Sequence, residues 1–283
     1  MQSVQEAIAA AVALLARAGV DSPRVDAELL AAEVLGTTRG RLSSARFDPG
    51  TAARFQDLVQ QRAARRPLQH LTGRAPFRLL DLAVGPGVFV PRPETELLVD
   101  WGLVRIAAFA APLVVDLCAG TGAIALSVAR EHPGAVVYAV EYQPEALEWL
   151  RRNASGTSVT VVAGDATDPA TLSSLDGHVD LVLCNPPYVP DGTPVQPEVG
   201  VHDPYPAVFG GPDGLAVIRP VVERAAALLC PGGWLGLEHD DRQGVTVPAV
   251  ISATHRYADV TDHRDLSGRP RFSTARRLAD CTS

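Results

Sequence analysis

The spacing of apolar residues divides the chain into a helical first part and a longer part in which strands and helices alternate. Up to about Ala64, apolar residues recur every three or four positions, as at Val4, Ile8 and Val12, which is the period of an amphipathic helix. From Leu113 onward, short runs of strand-forming residues alternate with helical stripes. This alternation predicts an α/β fold with a mostly parallel sheet covered by helices on both faces.

A short region joins these two parts. Two strand-like runs, Phe77 to Val84 and Val88 to Val90, flank Gly85-Pro86-Gly87, and this pattern predicts a β-hairpin. The next block runs from Pro91 to Glu96 and suits the start of a helix. The predicted organisation is a helical substrate-docking domain at 1–73, a β-hairpin linker at 74–90 and a catalytic domain at 91–283.

One predicted strand, Val179 to Leu183, leads into Asn185-Pro186-Pro187-Tyr188, called the tetrapeptide below. Each proline fixes its own φ and restricts the residue before it, so the Asn185 side-chain oxygen and the Pro186 carbonyl have little freedom. A planar amide or aromatic amine could donate both N–H groups to these acceptors while Tyr188 packs on its face. The pattern favours a clamp for an NH2 group; the alternative is a plain Pro-Pro turn after a core strand.

A second candidate site lies at the start of the alternating region. A predicted strand ending near Asp116 enters a turn that contains Gly120 and Gly122, and a helix follows. Such a turn lets the backbone approach a cofactor closely. Glu141 stands at the tip of the second predicted strand, where a carboxylate can bind both ribose hydroxyls. Asp165 closes the third strand as a candidate adenine contact, so the pattern indicates nucleoside binding.

Charge and composition narrow the range of functions. The chain has 283 residues and a formal net charge of −7, which argues against a broad basic surface for nucleic acid. Its 25 basic residues other than histidine are all arginine. The absence of lysine excludes a lysine Schiff base and the lysine of a P-loop.

The cysteines and the N-terminus bear on the cell compartment. Cys118, Cys184, Cys230 and Cys281 form no C-x-x-C pair, so we expect reduced thiols and no metal. We also expect no export and no membrane span, because a signal-peptide pattern and a long apolar run are both missing. We therefore expect a cytoplasmic protein whose partner is a protein or a small molecule and not nucleic acid.

These motifs together resemble those of the class I S-adenosylmethionine-dependent methyltransferases. The tetrapeptide is similar to that of enzymes that methylate amino groups. The helical module, the run from Pro67 to Gly73 and the block Val88 to Glu96 resemble the release-factor glutamine methyltransferases. The similarity covers nearly the whole chain, and the Pro-Arg-Pro-Glu-Thr-Glu block before the glycine turn is its most specific element.

The resemblance implies a Rossmann-like, seven-stranded sheet with one antiparallel strand near the edge. It implies S-adenosylmethionine as methyl donor and, as acceptor, the glutamine side-chain amide in the Gly-Gly-Gln loop of bacterial class I peptide-release factors. A monomer without a stable nucleic-acid partner is expected. Cys118 and Ala119 stand where the family usually has glycine and a small hydroxyl residue, and Ala166 takes a place often held by an aromatic residue.

Matched by position, the resemblance assigns a role to each motif residue. The cofactor set consists of Asp116, Cys118, Ala119, Gly120, Thr121, Gly122, Glu141, Asp165, Ala166 and Asn185. The substrate set consists of Asn185, Pro186, Pro187 and Tyr188, of which Asn185, Pro186 and Tyr188 are the catalytic candidates.

Several alternatives stay open from the sequence. The acceptor could instead be a glutamine of a ribosomal protein, or an exocyclic amine of adenine or guanine in nucleic acid. A nucleotide-binding scaffold that has lost activity is the non-enzymatic alternative. Glu238, His202 and His239 are weak candidates for a proton acceptor, for which a structural role is the commoner explanation. Arg92 and Glu94 are further candidates beside the site.

Overall fold

The computed structural model describes residues 2–279. Its helices and strands, in chain order, are β1 (Gln2–Ser3), α1 (Val4–Arg17), α2 (Pro23–Leu35), β2 (Arg46–Phe47), α3 (Pro49–Ala63), α4 (Leu68–Thr72), β3 (Arg74–Phe77), β4 (Leu80–Ala83), α5 (Thr95–Ile106), β5 (Leu113–Leu117), α6 (Ala123–Glu131), β6 (Val136–Glu141), α7 (Pro144–Ala154), β7 (Thr160–Ala163), β8 (Val179–Cys184), α8 (Pro197–His202), α9 (Tyr205–Val208), α10 (Ile218–Leu228), β9 (Leu229–Glu238), α11 (Thr246–Ala253), β10 (Tyr257–Arg264) and β11 (Pro270–Arg277). Short 3-10 turns cover Arg39–Ser44, Ser173–Leu175 and Asp241–Gln243.

The chain forms two compact units. The first contains the residues up to Arg74 together with Val84–Pro86 and Val195–His202, and the second contains the remainder. Among the described residues, no helix is long and apolar enough to cross a membrane. The domain bounds at 73 and 90 stay a prediction.

The first unit is built on helices α1, α2 and α3, as the sequence predicts. Their apolar stripes form one core, in which the rings of Phe47 and Phe55 stack with centroids 5.1 Å apart. The buried guanidinium of Arg62 donates to Asp26 over 2.7 Å and to Glu198 over 2.8 Å. Because a buried cation needs partners, these two carboxylates hold α2 and the separate segment of α8 within this unit.

The second unit contains a seven-stranded sheet in the order β10-β11-β9-β8-β5-β6-β7. The central strands β8, β5 and β6 are parallel to one another, and so are their outer neighbours β9 and β7. Within this sheet β11 is antiparallel to β9 and β10. The predicted fold class, including one antiparallel strand near the edge, is therefore confirmed.

The order of the strands reverses between β5 and β8. From β5 the chain continues to β6 and β7 on one side, and later returns to place β8 and β9 on the other. At such a reversal the loops after the two central strands diverge and leave a crevice at the carboxyl edge of the sheet. The glycine turn follows β5 and the tetrapeptide follows β8, so both lie at this crevice.

The turn of the hairpin lies at a different position from the predicted one. The two strands that pair are β3 and β4, which meet around Arg78 and Leu79 and not around Gly85-Pro86-Gly87. Arg78 adopts a positive φ of 51° and its guanidinium donates to Glu131. The tight turn is therefore made by a non-glycine residue that an ion pair holds in place. Residue type alone does not predict a turn at this position.

The long loop after the tetrapeptide is also more ordered than its composition indicates. It contains the short helices α8 and α9, and Val189 forms a parallel bridge with Phe209. These helices are six and four residues long, too short to produce a periodic apolar pattern. The stretch from Val189 to Gly214 is rich in proline, glycine and aspartate and has no apolar period, so its sequence predicts only a long loop.

Helix α5 packs closely on the sheet where two glycines remove side-chain bulk. A Cβ on Gly236 of β9 would lie 2.8 Å from Leu98 Cδ1 and 3.0 Å from Leu183 Cδ2. A Cβ on Gly102 of α5 would lie 3.0 Å from Leu183 Cδ1. The helix that begins at Thr95 is thereby brought close to β8 and β9, which carry site residues at their ends.

We predict that Gly236→Ala destabilises the second unit by about 1–3 kcal/mol, because it overfills this contact. Combining it with Leu98→Val, which shortens the nearest side chain, should cost less than the sum of the two single changes. The three tryptophans all belong to this unit, so tryptophan fluorescence during denaturant unfolding measures the effect. Strictly additive losses would contradict the proposed contact.

Candidate active site

The carboxyl ends of β5, β6 and β8 bring the predicted motifs together. Leu117 pairs with both Val140 and Cys184 in register, so the residues that follow these strands begin at one level. The edge carries the glycine turn, the acid at the tip of β6 and the tetrapeptide. The sequence predicts that each of these three motifs follows a strand. The pairing of β5 with β6 and β8 brings the three motifs next to one another.

The glycine turn is joined directly to the acid on β6. Glu141 is 6% exposed, and its Oε2 accepts from the Gly120 N–H over 2.9 Å. Its Oε1 accepts from the N–H groups of Tyr142 and Gln143. Burial raises the pKa of Glu141, while these three backbone donors act in the opposite direction by favouring the carboxylate.

The turn itself is held from several sides. The Ala119 N–H donates to Val140 O over 2.9 Å, and the Gly122 N–H donates to Ala119 O over 2.8 Å. The Thr121 carbonyl accepts from Asn153 Nδ2 over 3.0 Å. These bonds fix the loop without using the space beside Gly120, where an added Cβ would meet no atom within 4 Å.

Asp116 lies at the end of β5 and is completely buried. Its Oδ2 accepts from the Ala125 N–H over 3.0 Å, whereas its Oδ1 has no hydrogen-bond partner among the described residues. Burial raises the pKa of Asp116 to about 8, and the nearby Glu141 carboxylate acts in the same direction. The site therefore contains a buried acceptor that a cationic or N–H-bearing ligand would satisfy.

Cys118 adopts the left-handed backbone conformation that normally favours glycine. Its φ is 63°, a conformation that a residue without a Cβ adopts more easily. The thiol of Cys184 lies beside it, and burial and Cys118 both raise the pKa of that thiol. Cys118, Cys184 and Cys230 are free thiols, of which Cys184 is buried; Cys281 lies outside the described residues.

Asp165 and Ala166 follow β7 on the far side of Glu141. Asp165 is exposed, and its Oδ1 accepts from the Thr167 N–H over 2.8 Å, while Ala166 is buried. The half-exposed ring of Tyr142 stands nearby. Burial raises the pKa of Tyr142 most, and Glu141, Cys118 and Asp165 contribute in the same direction. Tyr142 thus supplies an aromatic ring at this edge, where Ala166 does not.

The tetrapeptide is tied to two residues from other elements. Asn185 Nδ2 lies 3.2 Å from Thr95 Oγ1, and Thr95 Oγ1 lies 2.7 Å from Glu238 Oε2. The Tyr188 hydroxyl donates to the other oxygen of Glu238 over 3.2 Å. Within the described part of the chain, no residue donates to Asn185 Oδ1. Pro186 and Pro187 between them are buried.

Glu238 lies at the end of β9 and is 1% exposed. Burial raises its pKa to about 7, although the bonds from Thr95 and Tyr188 and the charge of Arg271 favour the carboxylate. The pKa of the Tyr188 phenol is raised as well, chiefly by burial and by the charge of Glu238. Glu238 is therefore the proton-accepting candidate that contacts the tetrapeptide directly.

The backbone of the tetrapeptide rests on the loop that follows it. A Cβ on Gly210 would lie 2.5 Å from Pro187 O, and a Cβ on Gly214 would overlap the Tyr188 carbonyl. Gln243 Nε2 donates to that same carbonyl over 3.1 Å. The two glycines allow the loop to lie directly on the tetrapeptide, and Gln243 fixes it there.

Of the other candidates, His239 and Arg92 have partners of their own. His239 is buried, with Nε2 2.9 Å from Ser273 Oγ, and burial lowers its pKa, which indicates a structural role. His202 belongs to the first unit. Arg92 donates to Asp203 over 3.0 Å. Glu94 is exposed and precedes α5.

Sequence reasoning missed the supporting residues. Thr95 lies within the Pro91–Glu96 block, of which only the charged members Arg92 and Glu94 stand out as candidates by residue type. Gly210 and Gly214 belong to a glycine-rich run that indicates only a loop. Thr95 lies 90 positions from Asn185 and 143 positions from Glu238 in the chain. A local pattern cannot identify contacts over such separations.

The second unit is similar to known methyltransferase domains. Residues 95–200 match a family model described as a methyltransferase small domain. A solved methyltransferase structure from Pyrococcus furiosus has a TM-score of 0.50 at 19% identity, covering 79% of this chain and 98% of that one. The second unit therefore has a methyltransferase fold, which is the class that the matched domain model describes.

The particular family follows from closer relatives. Residues 6–73 match a model described as the PrmC N-terminal domain. Release factor glutamine methyltransferases of Mycolicibacterium smegmatis and Streptomyces coelicolor are 53% and 50% identical to this chain, covering 99% and 95% of it and 99% and 96% of their own lengths. That of Deinococcus radiodurans is 42% identical over 97% of this chain and 98% of its own. The chain belongs to the release factor glutamine methyltransferase family.

We predict that Gly214→Ala lowers activity and stability more than Gly192→Ala does. Both glycines have positive φ, 73° and 75°, so both variants carry a backbone cost of about 1 kcal/mol. Only the Gly214 variant also displaces the Tyr188 carbonyl, because a Cβ on Gly192 meets nothing within 4 Å. Thermal unfolding and methyl transfer by the two variants test this; equal losses would show that the loop does not support the tetrapeptide.

Proposed function

We propose that this chain transfers a methyl group from S-adenosylmethionine to the side-chain amide nitrogen of the glutamine in the Gly-Gly-Gln loop of bacterial class I release factors. The family membership supports the substrate. The observation that carries the chemistry is the tetrapeptide at the sheet crevice, whose Asn185 keeps a side-chain oxygen without a donor from the described residues. That oxygen and the Pro186 carbonyl are the two acceptors that an amide NH2 group requires.

The residues of the crevice fit this cofactor. Asp116 Oδ1 is a buried acceptor without a partner among the described residues, and the space beside Gly120 admits a ligand close to the backbone. Glu141 Oε2 has one backbone donor and retains a free lone-pair direction for a ribose hydroxyl. We propose that the turn from Cys118 to Gly122, with Asp116, Glu141, Asp165, Ala166 and Asn185, holds the cofactor.

When bound, S-adenosylmethionine supplies an electrophilic methyl group. An amide nitrogen is a weak nucleophile, because its lone pair is delocalised into the carbonyl. The protein has to compensate for this weakness. Asn185 Oδ1 and the Pro186 carbonyl orient that nitrogen and stabilise the positive charge that develops on it. Such help is greater in the transition state than in the ground state, which is the condition for a higher rate.

Further properties of the protein are part of the same proposal. We propose that residues 1–73 dock the release factor, that 74–90 link the domains and that 91–283 carry out the transfer. We also propose a cytoplasmic monomer with no stable nucleic-acid partner. The net charge of −7 supports the last point, because nucleic-acid affinity depends largely on neutralising phosphates.

The proposed function is tested by incubating the protein with labelled S-adenosylmethionine and, separately, purified release factor, ribosomal protein, DNA and RNA. We expect label in the release factor, on the glutamine of its Gly-Gly-Gln loop. Asn185→Ala should lose transfer by roughly 100-fold or more, because it removes one preorganised acceptor, and should still bind the cofactor. Label only in nucleic acid or ribosomal protein would replace the proposed substrate; normal turnover by Asn185→Ala would remove the clamp from the mechanism.

We predict that Glu141→Ala weakens S-adenosylmethionine binding by about tenfold or more, since charged hydrogen bonds contribute about 1.5–3 kcal/mol each. Calorimetric titration measures the dissociation constant. Thermal unfolding of the same variant is the control, because Glu141 also accepts from three backbone N–H groups. An unchanged dissociation constant would contradict the ribose assignment.

A further inference from the structure

The buried hydroxyl of Thr95 lies between Asn185 of the tetrapeptide and the carboxylate of Glu238. Thr95 is 3% exposed. Its Oγ1 is 2.7 Å from Glu238 Oε2 and 3.2 Å from Asn185 Nδ2. A threonine hydroxyl has one hydrogen to donate and lone pairs with which to accept. The direction of each bond in this short chain can therefore be worked out.

The ionised carboxylate of Glu238 has no hydrogen, so it can only accept. The one hydrogen of Thr95 must then point to Glu238, and Thr95 Oγ1 can only accept from Asn185. The Asn185 side chain has to turn its NH2 group towards Thr95. Its Oδ1 is consequently left on the opposite side of the amide, away from Thr95.

We propose that Thr95 and Glu238 are positioning residues that fix the orientation of the Asn185 amide, so that its oxygen and not its NH2 group faces the substrate. The inference deepens the proposed function and rests on it. An inverted Asn185 would present N–H donors to the N–H donors of a glutamine amide. The clamp would then repel the group that it has to hold.

The same carboxylate also fixes the other end of the tetrapeptide. Glu238 Oε1 accepts from the Tyr188 hydroxyl over 3.2 Å, so its two oxygens orient the first and the fourth residue of the motif. The residues between them are prolines with restricted backbones. One buried group at the end of β9 thereby sets the geometry of the whole motif.

The direction of the chain depends on the ionisation of Glu238. Four titratable groups face it: Arg271 from β11, Glu94 just before α5, Tyr188 of the tetrapeptide and Cys184 at the end of β8. Burial is the largest influence and raises the pKa of Glu238 to about 7. A protonated Glu238 can donate to Thr95, whose own hydrogen then turns to Asn185 and favours the inverted amide. The active orientation is therefore present above this pKa and is lost as the pH falls through it.

The first test compares Thr95→Val with Thr95→Ser. Valine keeps the shape and removes the hydroxyl, and we expect kcat to fall by roughly 100-fold, on the scale of one misplaced preorganised hydrogen bond. Serine keeps the hydroxyl and should restore kcat to within about threefold of the parent protein. The dissociation constant for S-adenosylmethionine should be unchanged in both. Equal kcat values in the two variants would overturn the proposal, as would loss of cofactor binding in step with kcat.

The second test is the pH profile of Glu238→Gln. In the parent protein we expect kcat to rise with an inflection near pH 7, following Glu238. Glutamine cannot ionise, so this inflection should disappear, whatever level of activity remains. An unchanged inflection would show that another group titrates and would overturn the role of Glu238.

A third measurement does not depend on the substrate. The side-chain NH2 resonances of Asn185 in ¹⁵N-labelled protein can be assigned by their loss in Asn185→Asp. We expect them to shift in Thr95→Val and to stay near their positions in Thr95→Ser. If the parent protein fails to methylate the release factor but these shifts occur, the proposed function is wrong and the positioning of Asn185 stands. If the shifts are absent in a protein that methylates normally, the positioning is wrong and the function stands.

Discussion

The sheet of the second unit is covered on both faces, and this burial is the constraint on which the site depends. The strands β5 and β8 have apolar side chains that are inaccessible to water on either face, so polar groups fit poorly along their length. Chemistry is accordingly concentrated where the strands end. The reversal of strand order between β5 and β8 then separates the two following loops and opens a crevice between the glycine turn and the tetrapeptide.

Three buried carboxylates lie at this edge, and their partners give them different tasks. Glu141 is held by backbone N–H groups and organises the glycine turn. Asp116 has one oxygen without a partner among the described residues and is suited to a ligand. Glu238 is bound on both oxygens by side chains that lead to the tetrapeptide. Burial raises the pKa of all three and so disfavours their ionised forms. The hydrogen-bond donors around each carboxylate oppose this effect and stabilise the charge.

Glycines at the site allow neighbouring backbone segments to approach each other closely. Gly102 and Gly236 let α5 approach β8 and β9, which brings Thr95 within reach of Asn185 and Glu238. Gly214 lets the following loop lie on the Tyr188 carbonyl. Because protein interiors are close-packed, a methyl group added at these positions would move the tetrapeptide or its partners. The rigidity of the clamp therefore comes from packing as much as from its two prolines.

The sequence by itself determined the α/β class, the strands that carry the motifs and the position of Asn185 to Tyr188 at a strand end, because alternating periodicity and proline restriction are local properties. It misplaced the hairpin turn, where an ion pair of Arg78 outweighs glycine preference, and it saw no order in the loop that contains α8 and α9. Only the tertiary structure decided that Thr95 and Glu238 join the tetrapeptide. These two residues are 143 positions apart in the chain, and their contact arises from the pairing of strands and the packing of α5, which no local pattern records.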